Sequence, residues 1–295
     1  MAEKQWTGTT YGSGLMHRWL IRLLRVVDIR IVYAFTCVFV IPFFLFRPSF
    51  KYIYRYFRDR WGMSAVCAFR NACLNHYLFS QVVIDRFAMY GGRRFHFDIE
   101  GYEHYTSLSS LPAPFVQLSA HIGNYEVAGY ALSPEKPINA LVFDGEKQSV
   151  MENRSHMFAD KKIRMIPVSQ DMSHLFLIDR ALQAGEIVSM PADRIFGSPK
   201  SVAVNLLGAP AQLPLGPFSV VSMRGLDALA VHVMKRSTEH YVIYVTPLRY
   251  DKQAPRHQQI QQLAQAYADT LQRMLTMYPT QWYNFFDFWN NHKNK

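Results

Sequence analysis

The sequence predicts an α/β fold in which a mostly parallel central sheet is flanked by helices, with a hydrophobic membrane-anchor helix at the N-terminus. Short apolar runs alternate with segments of helical periodicity, and this alternation is typical of a parallel sheet covered on both faces. An uncharged run near the N-terminus predicts the anchor. We expect the anchor within residues 1–60 and one domain over residues 61–295, because no repeat or long linker divides that part.

The anchor prediction rests on residues 31–46, sixteen residues without a charged side chain. A helix that spans a membrane needs about 20 apolar residues, so this run is short, and Pro42 would bend it. It predicts either one short tilted span or a helix lying in the membrane plane. A buried core helix is the alternative. A cleaved signal peptide is disfavoured because a basic, aromatic segment follows the run.

The formal net charge of +10 is concentrated around this run. Residues 15–60 contain nine Lys and Arg against two Asp. Basic charge interleaved with Trp, Leu and Phe beside an apolar run is typical of a protein that binds an anionic membrane surface. A nucleic-acid-binding protein would carry its positive charge across the folded domain, so we expect no nucleic-acid partner.

Cysteine and histidine spacing predicts no metal site and no cofactor. Cys37, Cys67 and Cys73 show neither paired nor metal-ligand spacing, which favours a reducing compartment without disulfides. The eleven histidines form no H-E-x-x-H or similar cluster.

The elements of the domain follow from apolar spacing along the chain. Apolar residues at helical intervals predict a helix over residues 61–90, which Gly91 would end. A polar stretch that contains Arg154 and Arg164 follows the third strand. We expect strands over residues 95–99, 115–118, 138–143, 187–190, 202–207, 228–234 and 241–246, and helices over residues 172–184, 216–223 and 258–278.

The tract SAHIGNYEVAGY, residues 119–130, carries the chemistry. It follows a buried strand, so His121 would lie at the carboxyl end of a strand, where open α/β sheets bind ligands. His121 and Glu126 would lie about 140° apart on a straight helix, but a turn at Gly123-Asn124 would let them face each other. Glu126 would then accept one ring N–H and leave the other nitrogen as a base. A purely structural His–Glu pair is the alternative.

The chain contains no G-x-S-x-G elbow to supply a nucleophile. A base without a protein nucleophile indicates that the attacking group belongs to the substrate, as in acyl transfer to an alcohol or amine. Two alternatives remain at this point: a hydrolase that uses water, and a non-catalytic lipid- or carrier-binding membrane protein. A binding protein has no need of the His121–Glu126 pair.

With these features the chain resembles the bacterial lipid A biosynthesis (late) acyltransferases of the lysophospholipid acyltransferase superfamily. The resemblance rests on IEGYEHY before the first long strand, HIGNYE as an H-x4-E motif, PADRIFG, LLGAPAQLPLGP and the aromatic ending YPTQWYNFFDFW. It implies an acyltransferase domain over residues 61–295 that transfers a fatty acyl chain, usually from acyl carrier protein, to a hydroxyl of a membrane lipid. It also implies a bacterial inner-membrane protein whose catalytic domain faces the cytoplasm.

Two departures concern the acceptor. Arg194 follows Asp193 where the family often has Gln or His, and the ending FFDFW lacks the basic residues that a phosphorylated glucosamine lipid would favour. The acceptor is therefore either a lipid A-like molecule or another membrane lipid.

Roles follow for the remaining site residues. His121 and Glu126 would be catalytic, and the N–H groups of Gly123 and Asn124 would bind the oxyanion of the tetrahedral intermediate. Asp193 would organise the site. Positive charge would come from Arg154, Arg164 or Arg194, each of which is alternatively a solvated or carrier-docking residue.

Overall fold

The computed structural model describes residues 14–132, 135–143, 162–168, 172–195 and 199–289. Its centre is a seven-stranded sheet in the order β1-β9-β8-β2-β5-β3-β4. The strands are β1 (His96–Glu100), β2 (Phe115–Ser119), β3 (Ile138–Phe143), β4 (Ile163–Val168), β5 (Ile187–Pro191), β8 (Asp227–Ser237) and β9 (His240–Pro247). Only β8 and β9 pair antiparallel, as a hairpin; every other neighbouring pair is parallel. The predicted α/β class with a mostly parallel sheet is confirmed.

Helices cover both faces of this sheet. They are α1 (Gly14–Val26), α2 (Ile29–Leu45), α3 (Pro48–Asp59), α4 (Ala65–Tyr90), α5 (Tyr102–Ser110), α6 (Ala128–Ala131), α7 (His174–Gln183), α8 (Leu215–Met223) and α9 (Arg256–Met277). One core cluster contains apolar side chains of α3, α7, α8 and α9, and the other contains those of α1, α2 and the C-terminal part of α4. The sheet lies between the two clusters.

The strand β2 shows that the centre of the sheet is buried on both faces. All five of its residues are buried, because β8 and β5 flank it and helices cover it on either side. The last helix, α9, buries a stripe that includes Leu263, Tyr267 and Leu271, each 0% exposed. This stripe has the 3.6-residue spacing that predicted the helix.

Two strands are absent from the sequence prediction. The strand β4 falls in the stretch expected to be polar; it is an edge strand with alternating exposure, which gives no continuous apolar run. The strand β7 (Ala209–Pro214) pairs with β6 (Ser201–Leu206) as a separate antiparallel hairpin. Its turn, Leu207-Gly208, has positive φ at both residues, the conformation that tight hairpins favour.

The N-terminal helices pack on the domain through α4. Leu24 of α1 and Ile29 of α2 are each 1% exposed and belong to the same core cluster as Ile84 of α4. Among the described residues no single helix has the length and apolar character to cross a membrane; α2 and α3 meet those criteria only when taken together, and they are bent by 91°. The N-terminal anchor therefore stays a prediction.

We predict that truncating Leu271 destabilises the protein, because its side chain is fully buried between α9 and the sheet. Leu271→Ala removes buried methyl groups and leaves a cavity, so the free energy of unfolding should fall by about 2–5 kcal/mol. Denaturant titration followed by far-UV circular dichroism measures this change. Gln258→Ala, on the exposed side of α9, is the matched control and should change stability by less than about 0.5 kcal/mol. Equal effects of the two variants would contradict the assignment of Leu271 to the core.

Candidate active site

The register of two parallel strands builds the site. Ser119 of β2 lies opposite Pro191 of β5, and the N–H of Ala192 donates to the carbonyl of Ser119 at 2.9 Å. His121 and Asp193 each follow two residues after these paired positions. They therefore leave the sheet side by side at the carboxyl ends of the strands, where open α/β sheets bind ligands.

Asp193 holds His121 through both oxygens of its carboxylate. Nδ1–H of His121 donates to Oδ1 at 2.7 Å, and the backbone N–H of His121 donates to Oδ2 at 2.9 Å. A carboxylate only accepts hydrogen bonds, so this contact places the ring proton on Nδ1. Nε2 of His121 then keeps its lone pair, and it has no hydrogen-bond partner in the part of the chain that the structure describes.

The pKa values of the pair follow from burial and charge. Burial raises the pKa of Asp193, but the charge and hydrogen bonds of His121 and the guanidinium of Arg194 outweigh this and lower it to about 2. Burial and the positive charge of Arg194 lower the pKa of His121, although Asp193 and Glu126 oppose the shift. At neutral pH the pair is therefore an ionised carboxylate and a neutral imidazole.

The partner of His121 corrects one expectation. The structure places Asp193, not Glu126, on the ring nitrogen, because Gly123 adopts a positive φ of 51° and the short 3₁₀ turn Tyr125–Val127 follows it. Glu126 forms an ion pair with Arg86 of α4 instead. Glu126 still acts on the imidazole through its charge.

The expected oxyanion donors are also corrected. The N–H of Gly123 donates to the carbonyl of Gln281 at 2.8 Å, and the N–H of Asn124 donates to the carbonyl of Val233 at 2.8 Å. Both amides are therefore engaged within the protein. They fix the loop against β8 and the C-terminal segment rather than facing a substrate.

The three candidate arginines lie in different places. Arg194 adjoins the pair; one of its N–H groups donates to the carbonyl of Tyr283 at 2.7 Å, and its guanidinium lies 5.8 Å from the ring centre of Phe286. Arg164 is not part of this group, because it pairs with Glu186 at the amino-terminal end of β5, at 2.9 Å. Arg154 lies outside the described residues.

Sequence reasoning missed the segment after α9. The N–H of Tyr283 donates to the carbonyl of His121 at 3.0 Å, and Ile122 forms an isolated antiparallel bridge with Trp282. The aromatic ending thus forms one wall of the site. No local pattern signals this contact, because it joins residues about 160 positions apart.

One cluster of the described residues could hold a metal ion: His96, Asp98 and His240. Nε2 of His240 lies 2.7 Å and Nε2 of His96 lies 3.2 Å from the carboxylate of Asp98. The three side chains are 71%, 46% and 25% exposed, in chain order, so water competes directly for every ligand atom. The cluster lies at the edge strand β1, away from β2 and β5.

Comparison with known protein families finds a match. The family model of the bacterial lipid A biosynthesis acyltransferases matches residues 92–291, more than half of the chain. The matched part includes β2, β5 and the loop with His121. A search of the curated proteins finds no significant match.

We predict that Gly123→Ala disrupts the loop, because the added Cβ would strike the backbone carbonyl of Val233 and the position has a positive φ. The midpoint of thermal unfolding should fall. Gly216→Ala is the matched control: its Cβ would meet no atom within 4 Å, and alanine is the better residue in a helix. The prediction fails if the two variants unfold at the same temperature.

Proposed function

The chain belongs to the bacterial lipid A biosynthesis acyltransferase family, and from that premise we propose that it moves a fatty acyl chain from an acyl thioester to a hydroxyl of a lipid A-like or other membrane lipid. Family membership makes the protein an acyltransferase enzyme. The thioester would be carried by acyl carrier protein, and no further cofactor would take part. The observation that carries the proposal is the hydrogen bond between Nδ1 of His121 and Asp193.

The proposed reaction needs one base and no protein nucleophile. Nε2 of His121 takes the proton of the acceptor hydroxyl as its oxygen attacks the thioester carbonyl. The tetrahedral intermediate then expels the thiolate, which receives the same proton from Nε2. Asp193 keeps the ring in the correct tautomer and stabilises the imidazolium. General-base catalysis of this kind contributes roughly 10²–10⁴-fold.

The oxyanion of the intermediate needs positive charge. Arg194 is the candidate, because its guanidinium acts electrostatically on both His121 and Asp193. Arg154 stays a second candidate. The amides of Gly123 and Asn124 are excluded from this role by their backbone hydrogen bonds.

We place the membrane contact on α1 and α2. Trp19 of α1 is 62% exposed, and Phe39 of α2 is 61% exposed. They are two of several large apolar side chains that are exposed on these helices, and such exposure marks an interaction surface. The neighbouring arginines suit an anionic lipid surface. The proposal is a bacterial inner-membrane protein with the catalytic domain on the cytoplasmic side.

We predict that His121→Ala and Asp193→Asn both abolish most transfer. The first removes the base, and the second leaves a group that no longer favours the required tautomer. The rate should fall by roughly 10²–10⁴-fold for His121→Ala. The assay is transfer from labelled acyl carrier protein to a total membrane lipid extract, with mass spectrometry of the product to name the acceptor.

Circular dichroism of both variants controls for misfolding, and Lys252→Gln, which breaks an exposed ion pair with Asp227, should retain full activity. Undiminished transfer by folded His121→Ala would exclude the general-base role. Carrier binding without any product from the wild type would favour a non-catalytic binding protein.

We predict that the transfer rate rises with pH through the pKa of His121, because only the neutral ring is a base. The midpoint of this rise, the acidic limb of the pH profile, should lie below pH 6.5, the ordinary pKa of histidine, since burial and Arg194 lower the pKa of His121. Arg194→Gln removes a positive charge that lowers the pKa of His121, so this rise in rate should move to higher pH. A pH–kcat profile measures both. Arg224→Gln, which breaks a surface ion pair with Asp179, should leave the limb in place; an unmoved limb in Arg194→Gln would contradict the assignment to His121.

A further inference from the structure

Two adjacent residues of α4 hold the loop that carries His121. Arg86 forms an ion pair with Glu126, at the end of the loop. Asp85 accepts a hydrogen bond from the hydroxyl of Tyr241, and that hydroxyl accepts one from the side-chain amide of Asn124 at 3.3 Å. The helix thus reaches the loop at two points, directly through Arg86 and by one intermediate side chain through Asp85.

Asp85 is fully buried and has three donors. Besides Tyr241, the ammonium of Lys235 lies 2.5 Å from its carboxylate, and the hydroxyl of Tyr33 donates to its other oxygen. Burial raises the pKa of Asp85 and lowers the pKa of Lys235, while their mutual attraction opposes both shifts. A buried ion pair contributes little net stability compared with an apolar pair of the same size. Unlike an apolar pair, it fixes the positions of particular atoms.

The neighbouring contacts show which conformation is fixed. Lys235 lies two residues after Val233, whose carbonyl accepts from the N–H of Asn124. The side chain of Gln281 bonds to both backbone groups of Lys235, at 2.9 and 2.7 Å, and the carbonyl of Gln281 accepts from Gly123. The buried pair thus lies among the groups that hold the backbone of residues 123–124.

We propose that Asp85 and Arg86 are positioning residues, which hold residues 121–126 in the conformation that aligns His121 with Asp193. Neither residue contacts the reacting atoms; Arg86 acts through Glu126, and Asp85 acts through Tyr241 and Asn124. The consequence for catalysis rests on the proposed function, whereas the consequence for the loop does not.

The pairing of Arg86 with Glu126 has an electrostatic signature at His121. The charged groups that act on this imidazole are Asp193, Glu126 and Arg194. The carboxylate of Glu126 raises the pKa of His121, and Arg86 is ion-paired with that carboxylate, so a positive charge at position 86 should oppose this effect. Removing Arg86 alone should therefore raise the pKa of His121, and neutralising Glu126 as well should return it towards the wild-type value.

The experiment is an NMR titration of the His121 imidazole in the wild type, in Arg86→Gln and in Arg86→Gln/Glu126→Gln. We expect a higher pKa in the single variant and a wild-type-like pKa in the double variant. The kcat for acyl transfer should fall by about 10- to 100-fold in Arg86→Gln, since displaced catalytic groups lose rate on this scale. The double variant should be no slower than the single one, because both substitutions break the same contact.

Arg86→Lys and Lys252→Gln are the controls. Arg86→Lys keeps the positive charge, so it should leave the pKa of His121 unchanged. A pKa that rises in Arg86→Gln but not in Arg86→Lys is therefore caused by loss of the charge and not by unfolding. Lys252→Gln removes a cation from an exposed pair at the opposite end of β8 and should change neither quantity.

An unchanged pKa of His121 in folded Arg86→Gln would overturn the proposal, and so would additive losses of kcat in the double variant. The titration needs no turnover. If the wild type transfers no acyl group, the proposed function fails, while the titration still decides whether the Arg86–Glu126 ion pair acts on His121.

Discussion

His121 and Asp193 meet because β2 and β5 pair in parallel, with Ser119 opposite Pro191. This register places each residue two positions beyond its strand, so no long loop has to be folded to bring the imidazole and the carboxylate together. Moving β5 by one residue would turn the side chain at position 193 to the other face. The buried carboxylate then imposes a second constraint. Asp193 accepts from both the ring and the backbone of His121, so neither the rotamer nor the strand end can move alone.

Around this pair, ion pairs and hydrogen bonds orient the loop in a way that apolar packing cannot. Apolar contacts have no preferred orientation, whereas an ion pair or hydrogen bond fixes particular atoms. The ion pairs Arg86–Glu126 and Asp85–Lys235 act on this loop together with the carbonyls of Val233 and Gln281. These contacts hold the loop around Gly123, which has a positive φ, in one conformation.

Much of the fold could be predicted because buried strands such as β2 leave short apolar runs and amphipathic helices such as α9 leave periodic ones. The edge strand β4 was missed because only one of its residues is fully buried. The position of His121 at a strand end could be predicted from the sequence, but its partner could not. Pairing His121 with Glu126 assumed that contacts close in sequence dominate. The actual partner depends on which strands are neighbours and on the turn at Gly123, and a single sequence specifies neither.

The contact between residues 281–283 and the loop that carries His121 has a consequence for synthesis. The carbonyl of Gln281 and the N–H of Tyr283 complete the hydrogen bonds of Gly123 and His121, and the ribosome adds these residues after every strand of the sheet. A nascent chain can form much of its core before this segment emerges, but the loop that carries His121 lacks two hydrogen-bond partners until then. The loop that carries His121 is therefore completed late in synthesis, after the strands of the sheet.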